Sequence, residues 1–194
     1  FKVGVEGGRN TNRDLVRVRK VREAVGPETD IMIETHAMLN YRIAVKMAER
    51  LSKLDIAWYE EPAGPESAKT LRAMRERIPS DVAICVGERH YTRFGIRPVL
   101  ENHICDVIMP DITRCGGPSE VKRMATMAEA FFRQEFMFND VPWRDRVIDH
   151  PIADMVYDGM LHLSDRPGLG VDLVEEEMEA HPGITENAPV NFYI

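Results

Sequence analysis

Ile56-Ala57-Trp58-Tyr59-Glu60-Glu61-Pro62 is a short apolar run that ends abruptly in two acids and a proline. A continuous apolar run of this length suits a strand of a parallel sheet, buried on both faces. The pattern recurs along the chain. Asp30–Ile33 leads to Glu34, Val82–Val86 to Glu88, and Val107–Met109 to Asp111. Phe1–Val5 and Gln134–Phe138 are two further runs, which makes six strand candidates.

Helical segments fill the intervals. Leu15, Val18, Val21 and Val25 share one face of a first helix, with Thr11 or Asn12 as its cap and Gly26-Pro27 as its stop. A second helix is predicted from about Tyr41 to Leu54 on Ile43, Met47, Leu51 and Leu54. Others are predicted over about Glu66–Arg77, Phe94–Asn102 and Ser119–Phe131. The polar residues just past the strands give the period: Glu34 to Glu60 is 26 residues, Glu60 to Glu88 is 28, Glu88 to Asp111 is 23 and Asp111 to Glu135 is 24. A strand, a helix and two short loops occupy about that length.

The expected fold is therefore α/β: a (β/α) TIM-type barrel, incomplete, because a full eight-unit barrel typically needs ~250 residues. An open doubly wound sheet is the runner-up. Gly4-Val5-Glu6-Gly7-Gly8 follows a strand but lacks the GxGxxG spacing of a dinucleotide site. Proline punctuates the chain from His150 onward, so the sequence divides into a partial barrel over 1–149 and a C-terminal extension over 150–194.

The formal net charge of −7 and the absence of a basic tract argue against nucleic acid or an anionic membrane surface as a partner. Cys85, Cys105 and Cys115 are odd in number and show no CxxC spacing, which indicates neither a disulfide framework nor a zinc knuckle. Cys85 and Cys105 lie in apolar runs and read as buried thiols, with a reducing cytoplasm as the default compartment. No signal peptide and no apolar run near 18 residues is visible. The chain opens at Phe1 within a strand and without an initiator methionine, which points to a longer protein that has lost its N-terminal part.

The C-terminal strand ends form the active face of a parallel barrel. Four successive ends here finish in an acid, at Glu34, Glu60, Glu88 and Asp111. Neighbouring ends sit side by side, so their carboxylates are expected to converge. Unpaired, they would repel in a low-dielectric pocket. A hard divalent cation removes that conflict, and Mg²⁺ prefers oxygen ligands. Taken singly, each acid could instead be a rim carboxylate paired with Arg89, Arg93 or Arg114. Lys2, inside the first apolar run, either snorkels at the chain end or points into the barrel mouth, where a desolvated lysine can act as a general base. His36 stands two residues after Glu34 and shares its side if the strand persists; near a metal it can be a general acid. His90 stands two residues after Glu88 and earns the same suspicion at lower weight.

These residues resemble a family. Phe1-Lys2-Val3-Gly4 is similar to the second barrel strand of the mandelate racemase branch of the enolase superfamily, where Lys2 matches the second lysine of a Lys-x-Lys motif. Ile33-Glu34-Thr35-His36 resembles the third-strand metal-ligand motif, which is Asp-x-His in the galactonate- and mannonate-type sugar-acid dehydratases. Trp58-Tyr59-Glu60-Glu61-Pro62 looks like the Glu-Glu-Pro signature of strand four, and Val86-Gly87-Glu88-Arg89 like the Gly-Glu of strand five. Met109-Pro110-Asp111 with Gly116-Gly117 is similar to strand six, Glu135 resembles the eighth-strand acid, and Pro167-Gly168-Leu169-Gly170 resembles a stretch near the family's C-terminus.

The resemblance implies a Mg²⁺-dependent dehydratase acting on a small-molecule sugar acid, and a homo-oligomer. Glu34, Glu60 and Glu88 are then metal ligands, Lys2 a base, His36 an acid, and Asp111 and Glu135 supporting residues. That such enzymes use a Lys or His base with Mg²⁺ is general knowledge of the superfamily. Three departures stand out. Glu34 occupies a position that is usually Asp. The N-terminal capping domain is expected to be absent. Between Asp111 and Glu135 there is room for one strand–helix unit where the family holds roughly two. Strand seven and its histidine partner for Asp111 are thus expected to be missing, with the join near Ala130-Phe131-Phe132. Racemisation, epimerisation or lactone chemistry is the alternative within the family. A non-catalytic remnant acting as an interaction module is the rival outside it, because an interrupted barrel exposes strand edges.

Overall fold

The computed structural model describes residues 2–4, 10–128, 144–158, 160–162, 164–168 and 170–181. The chain divides into two compact units, Phe1–Phe132 and Arg133–Ile194. In the first, strands and helices alternate: β1 (Lys2–Gly4), α1 (Thr11–Val25), β2 (Met32–Glu34), α2 (Tyr41–Leu51), β3 (Trp58–Glu60), α3 (Ala68–Arg75), β4 (Ile84–Val86), α4 (Thr92–Glu101), β5 (Val107–Ile108) and α5 (Pro118–Ala128). All five strands are parallel and lie in the sheet in chain order, β1-β2-β3-β4-β5. A doubly wound sheet would reverse direction at a switch point. No reversal occurs here, so the winding is that of an incomplete (β/α) barrel. The sixth strand candidate, Gln134–Phe138, and the join at 130–132 lie outside the described residues.

Register sets which side chains face the helices. Ile33 pairs with Tyr59, and Tyr59 with Ile84. All three are buried, and the Tyr59 hydroxyl lies 3.5 Å from the carbonyl oxygen of Ala44 on α2. Side chains alternate along a strand, so Glu34 and Glu60, also in register, belong to the opposite face. Val18 from α1, Met47, Ala48 and Leu51 from α2, Leu71 and Met74 from α3, Ile96 and Val99 from α4 and Met124 from α5 complete the core on the helix side.

The helix boundaries follow local chemistry. Asn10, not Thr11 or Asn12, caps α1, because its side-chain oxygen reaches the backbone N–H of Arg13 at 3.0 Å, the usual cap-to-third-residue bond. Gly26 ends α1 with φ of 78°. Asn40 and Ser67 cap α2 and α3 in the same way. At the N-terminal ends of the strands Arg22 ties two loops together. Its guanidinium donates to the carbonyls of Gly26, Thr29, Leu54 and Asp55, which gives loop carbonyls hydrogen-bond partners.

The second unit holds a short hairpin, β6 (Val156–Tyr157) with β7 (Met160–Leu161), and a helix, α6 (Glu175–Ala180). Tyr157 and His162 stack with ring centroids 3.6 Å apart. Arg166 bridges Asp149 at 2.8 Å and Asp172 at 2.5 Å. Cys85 and Cys115 are buried and Cys105 is half-buried; all three are free thiols. Burial pushes the Cys105 thiol up to about 12, with the Asp106 charge adding to the effect. No helix among the described residues is long and apolar enough to cross a membrane.

Candidate functional site

Three strand ends bring three carboxylates together. One oxygen each from Glu34, Glu60 and Glu88 lies within 4.8 Å of the other two, and among the described residues no other acid, histidine or cysteine forms such a group. Glu34 and Glu60 are buried, and Glu88 is half-buried, with 23% of its side chain exposed. The sheet explains the convergence. Glu34 and Glu60 are register partners on adjacent strands, and Glu88 lies two residues beyond the end of β4, the next strand. Gly87 allows that close approach. A Cβ there would lie 2.6 Å from the backbone N and carbonyl carbon of Met109, so any side chain would push the loop that carries Glu88 away from the chain after β5.

Neighbouring groups fix the three acids. The indole N–H of Trp58 donates to Glu60 Oε2 at 3.1 Å. The backbone N–H of His36 donates to Glu34 Oε1. Thr35, fully buried, donates its hydroxyl hydrogen toward the carbonyls of Glu60 at 3.0 Å and Glu61 at 2.6 Å. That contact fastens the end of β2 to the end of β3.

His36 reaches the site by a different route from strand alternation. β2 ends at Glu34, and His36 and Ala37 both take left-handed backbone with φ of 50° and 57°. The reversal folds residue 36 back over Glu34, so that its Nδ1 is 3.6 Å from Glu34 Oε1 while 55% of the side chain stays exposed. Backbone in this region costs ~1–3 kcal/mol per non-glycine residue.

Glu61 emerges as a member of the site that the strand pattern did not single out. It takes φ of 40°, and its side chain is buried. Burial, and next the charge of Glu88, push its carboxyl up to about 7, against the opposing Arg89 and with a further push from Glu34. His90 is buried as well, and neither ring nitrogen has a hydrogen-bond partner among the described residues. Burial pulls its pKa below the ordinary histidine value, with Glu66 acting the other way.

Asp111 does not join the cluster. Its own loop holds it: the N–H of Thr113 donates at 2.7 Å, the Thr113 hydroxyl at 2.6 Å, and Arg114 Nε lies 3.3 Å away. Partial burial acts to raise its pKa, but these bonds and the Arg114 charge outweigh it and hold the carboxyl below its usual range. The expected convergence of four rim acids is thus corrected to three. Arg93, another possible rim partner, is committed to Glu120 at 2.7 Å. The backbone of Lys2 pairs with Met32, two positions before Gly4 pairs with Glu34. Glu135 lies outside the described residues, as does Leu169 of the Pro-Gly-Leu-Gly stretch.

The residues present suit a divalent cation. Glu34, Glu60 and Glu88 bring three carboxylates to one end of the sheet, and Glu61, paired with Arg89, lies beside them. The rise of Glu61 to about 7 comes first from burial, with the charge of Glu88 next and that of Glu34 a smaller addition. An all-oxygen donor set of this kind matches a hard cation such as Mg²⁺.

The raised Glu61 carboxyl has a consequence for the metal-free protein. Between its ordinary value of 4.5 and about 7, the folded chain keeps a proton that the unfolded chain releases. Stability present below the lower value is therefore lost as pH rises through about 7. The loss is at most ~4 kcal/mol, since each pKa unit corresponds to ~1.4 kcal/mol. Thermal unfolding of the metal-free protein should show Tm falling from pH 5 to 8, and Glu61→Gln should flatten that slope. An equally steep slope in the variant would assign the effect to other groups.

A sequentially wound parallel sheet with its polar residues gathered at the C-terminal strand ends defines the (β/α)-barrel class. The chain belongs to the enolase C-terminal domain-like family, whose model matches residues 1–134. It is 29% identical over 200 residues to the L-rhamnonate dehydratase of Saccharopolyspora erythraea, an alignment that covers 89% of this chain and 50% of that protein. Among solved structures it is similar to the mandelate racemase/muconate lactonizing enzyme-like protein from Rubrobacter xylanophilus, with a TM-score of 0.80, 29% identity, and coverage of 89% of this chain and 50% of that one. It is also similar to rhamnonate dehydratase from Gibberella zeae complexed with Mg, with a TM-score of 0.58, 30% identity, and coverage of 61% and 29%. The chain spans about half the length of the curated relatives that match most of it, at 50% and 46%.

Proposed function

We propose that the protein is a Mg²⁺-dependent dehydratase of sugar acids, a hydro-lyase. The observation that carries this reading is the meeting of Glu34, Glu60 and Glu88 oxygens within 4.8 Å at the ends of three adjacent strands. The likeness to dehydratases and to a Mg-complexed relative supports it.

In this proposal Glu34, Glu60 and Glu88 hold the metal. Bound there, Mg²⁺ supplies the positive charge that holds a substrate carboxylate and offsets the charge developing beside it. Lys2 takes the proton α to the carboxylate. His36, next to Glu34 yet open to solvent, delivers a proton to the β-hydroxyl, which departs as water. The resulting enol becomes a 2-keto acid. Asp111 keeps a supporting role, and the supporting role that the resemblance implies for Glu135 falls on a residue outside the described ones. Racemisation moves only the α-proton and needs no acid for a leaving hydroxyl, so a histidine beside a metal-ligand carboxylate favours dehydration.

The test is a screen of sugar acids for 2-keto acid formation by the full-length protein, with and without Mg²⁺. A substrate that yields a 2-keto acid only with the metal is expected. Epimerised substrate with no keto acid would move the protein to the racemase reading, and no turnover of any sugar acid would favour the interaction module.

A further inference from the structure

Arg89 follows the proposed ligand Glu88 directly, and its groups reach two carboxylates. Its Nε donates to Glu61 Oε2 at 2.6 Å, and its own backbone N–H donates to Glu61 Oε1 at 3.3 Å. Residue 89 thus holds both oxygens of Glu61. On the other side Nη2 lies 3.4 Å from Glu88 Oε1.

Glu61 is a rigid anchor for this contact. Its side chain is 2% exposed. Its carbonyl accepts from Ala37 N–H at 2.9 Å as well as from Thr35, and its own N–H donates to the carbonyl of Cys85 at 2.8 Å. The left-handed backbone at residue 61 turns the carboxyl away from the path of β3 and toward the loop after β4. Planar guanidinium fixes direction as well as charge, which a lysine ammonium does not.

We propose that Arg89 and Glu61 form a positioning pair: Glu61, itself not a ligand, fixes Arg89, and Arg89 fixes the Glu88 carboxylate in the orientation that completes the metal site. This rests on the reading of Glu34, Glu60 and Glu88 as metal ligands. It assigns the second acid of the Glu60-Glu61 pair a task distinct from the first. Outer groups that orient ligands typically change metal affinity by ~10–100-fold when removed.

The experiment is Mg²⁺ calorimetry on the protein with Arg89→Lys, Arg89→Met, Glu61→Gln and the Arg89→Met/Glu61→Gln double variant, with Glu60→Gln as reference. Charge alone and positioning predict opposite signs. A cation near a cation site repels it, so if Arg89 contributed only charge, Arg89→Met would tighten Mg²⁺ binding and Arg89→Lys would leave it unchanged. The positioning pair predicts a ~10–100-fold weakening in Arg89→Met and a measurable weakening in Arg89→Lys, where the charge is kept. It also predicts that Glu61→Gln adds nothing in the Arg89→Met background, because the two residues act as a unit. If Arg89→Met fails to fold, Arg89→Lys carries the test alone. Unchanged or tighter binding in Arg89→Lys, or additive losses in the double variant, would overturn the pair. If the protein binds no Mg²⁺, or Glu60→Gln binds it as well as the natural protein does, the metal site itself is wrong. If Glu60→Gln weakens binding and the Arg89 variants do not, only the positioning pair fails.

Discussion

Replacing His36 with asparagine is expected to cut dehydration by the full-length protein by ~10²–10⁴-fold, the usual contribution of a positioned proton donor, while Mg²⁺ affinity stays nearly unchanged. The geometry separates the two roles. His36 touches Glu34 mainly through its backbone N–H, which asparagine retains, and its ring sits 3.6 Å from Glu34 Oε1 with 55% of the side chain in solvent. Asparagine also tolerates the left-handed backbone at φ 50° better than most residues do. The substitution therefore removes the titrating ring with little disturbance of the turn that holds Glu34. Paired assays of 2-keto acid formation and of calorimetric Mg²⁺ binding give the answer. An equal fall in both would make His36 a ligand or a structural residue, and no fall in either would remove it from the chemistry.

Glu60→Gln should have the largest effect on the metal. Glu60 is fully buried between Glu34 and Glu88 in the strand order, and its Oε2 already accepts the Trp58 indole N–H. The amide is nearly isosteric, so packing against β2 and β4 changes little. What disappears is one of three charges that a divalent cation would neutralise. Loss of an outer partner typically weakens metal affinity by ~10–100-fold, and loss of a direct ligand should exceed that range. Removing one member of a crowded acidic group also relieves repulsion in the metal-free state, so the variant should be as thermally stable without metal as the natural protein, or more so. Weak binding together with intact folding is the expected pair of results. Affinity close to that of the natural protein would show that the three oxygens, though adjacent, do not share a cation.

The strand–helix rhythm and the three converging acids were legible because each depends on local pattern: an apolar run, an acid at its end, and a spacing near one structural unit. Other features depend on backbone turns that no periodicity reveals. In a strand, adjacent Glu60 and Glu61 would face opposite ways, and only the left-handed turn at residue 61 brings the second acid toward the loop after β4. Strand alternation likewise suggested a place for His36 beside Glu34, but a chain reversal brings it there. Asp111 looked equivalent to the other rim acids in sequence. Thr113 and Arg114, two and three residues further on, satisfy it within its own loop. A Thr two residues after an Asp is a recognised local competitor for its carboxylate, so that signal was present in the sequence. The cap of α1 moved by one residue for a similar reason, since Asn10 lies three residues before the amide that it accepts from.

The sequential strand order has a consequence for how the protein is made. Each of β2 to β5 pairs with the strand synthesised just before it, at register offsets of 22 to 30 residues. No strand from far along the chain has to arrive before these pairings form, and their loop-closure costs are nearly equal from unit to unit, because that cost grows only with the logarithm of loop length. Glu34, Glu60 and Glu88 can therefore meet as soon as the segment through β4 and its following loop has left the ribosome. Domains generally fold as units, the N-terminal ones first during synthesis. If the three acids hold Mg²⁺ as proposed, binding of the cation would favour, by mass action, a chain in which they already adjoin.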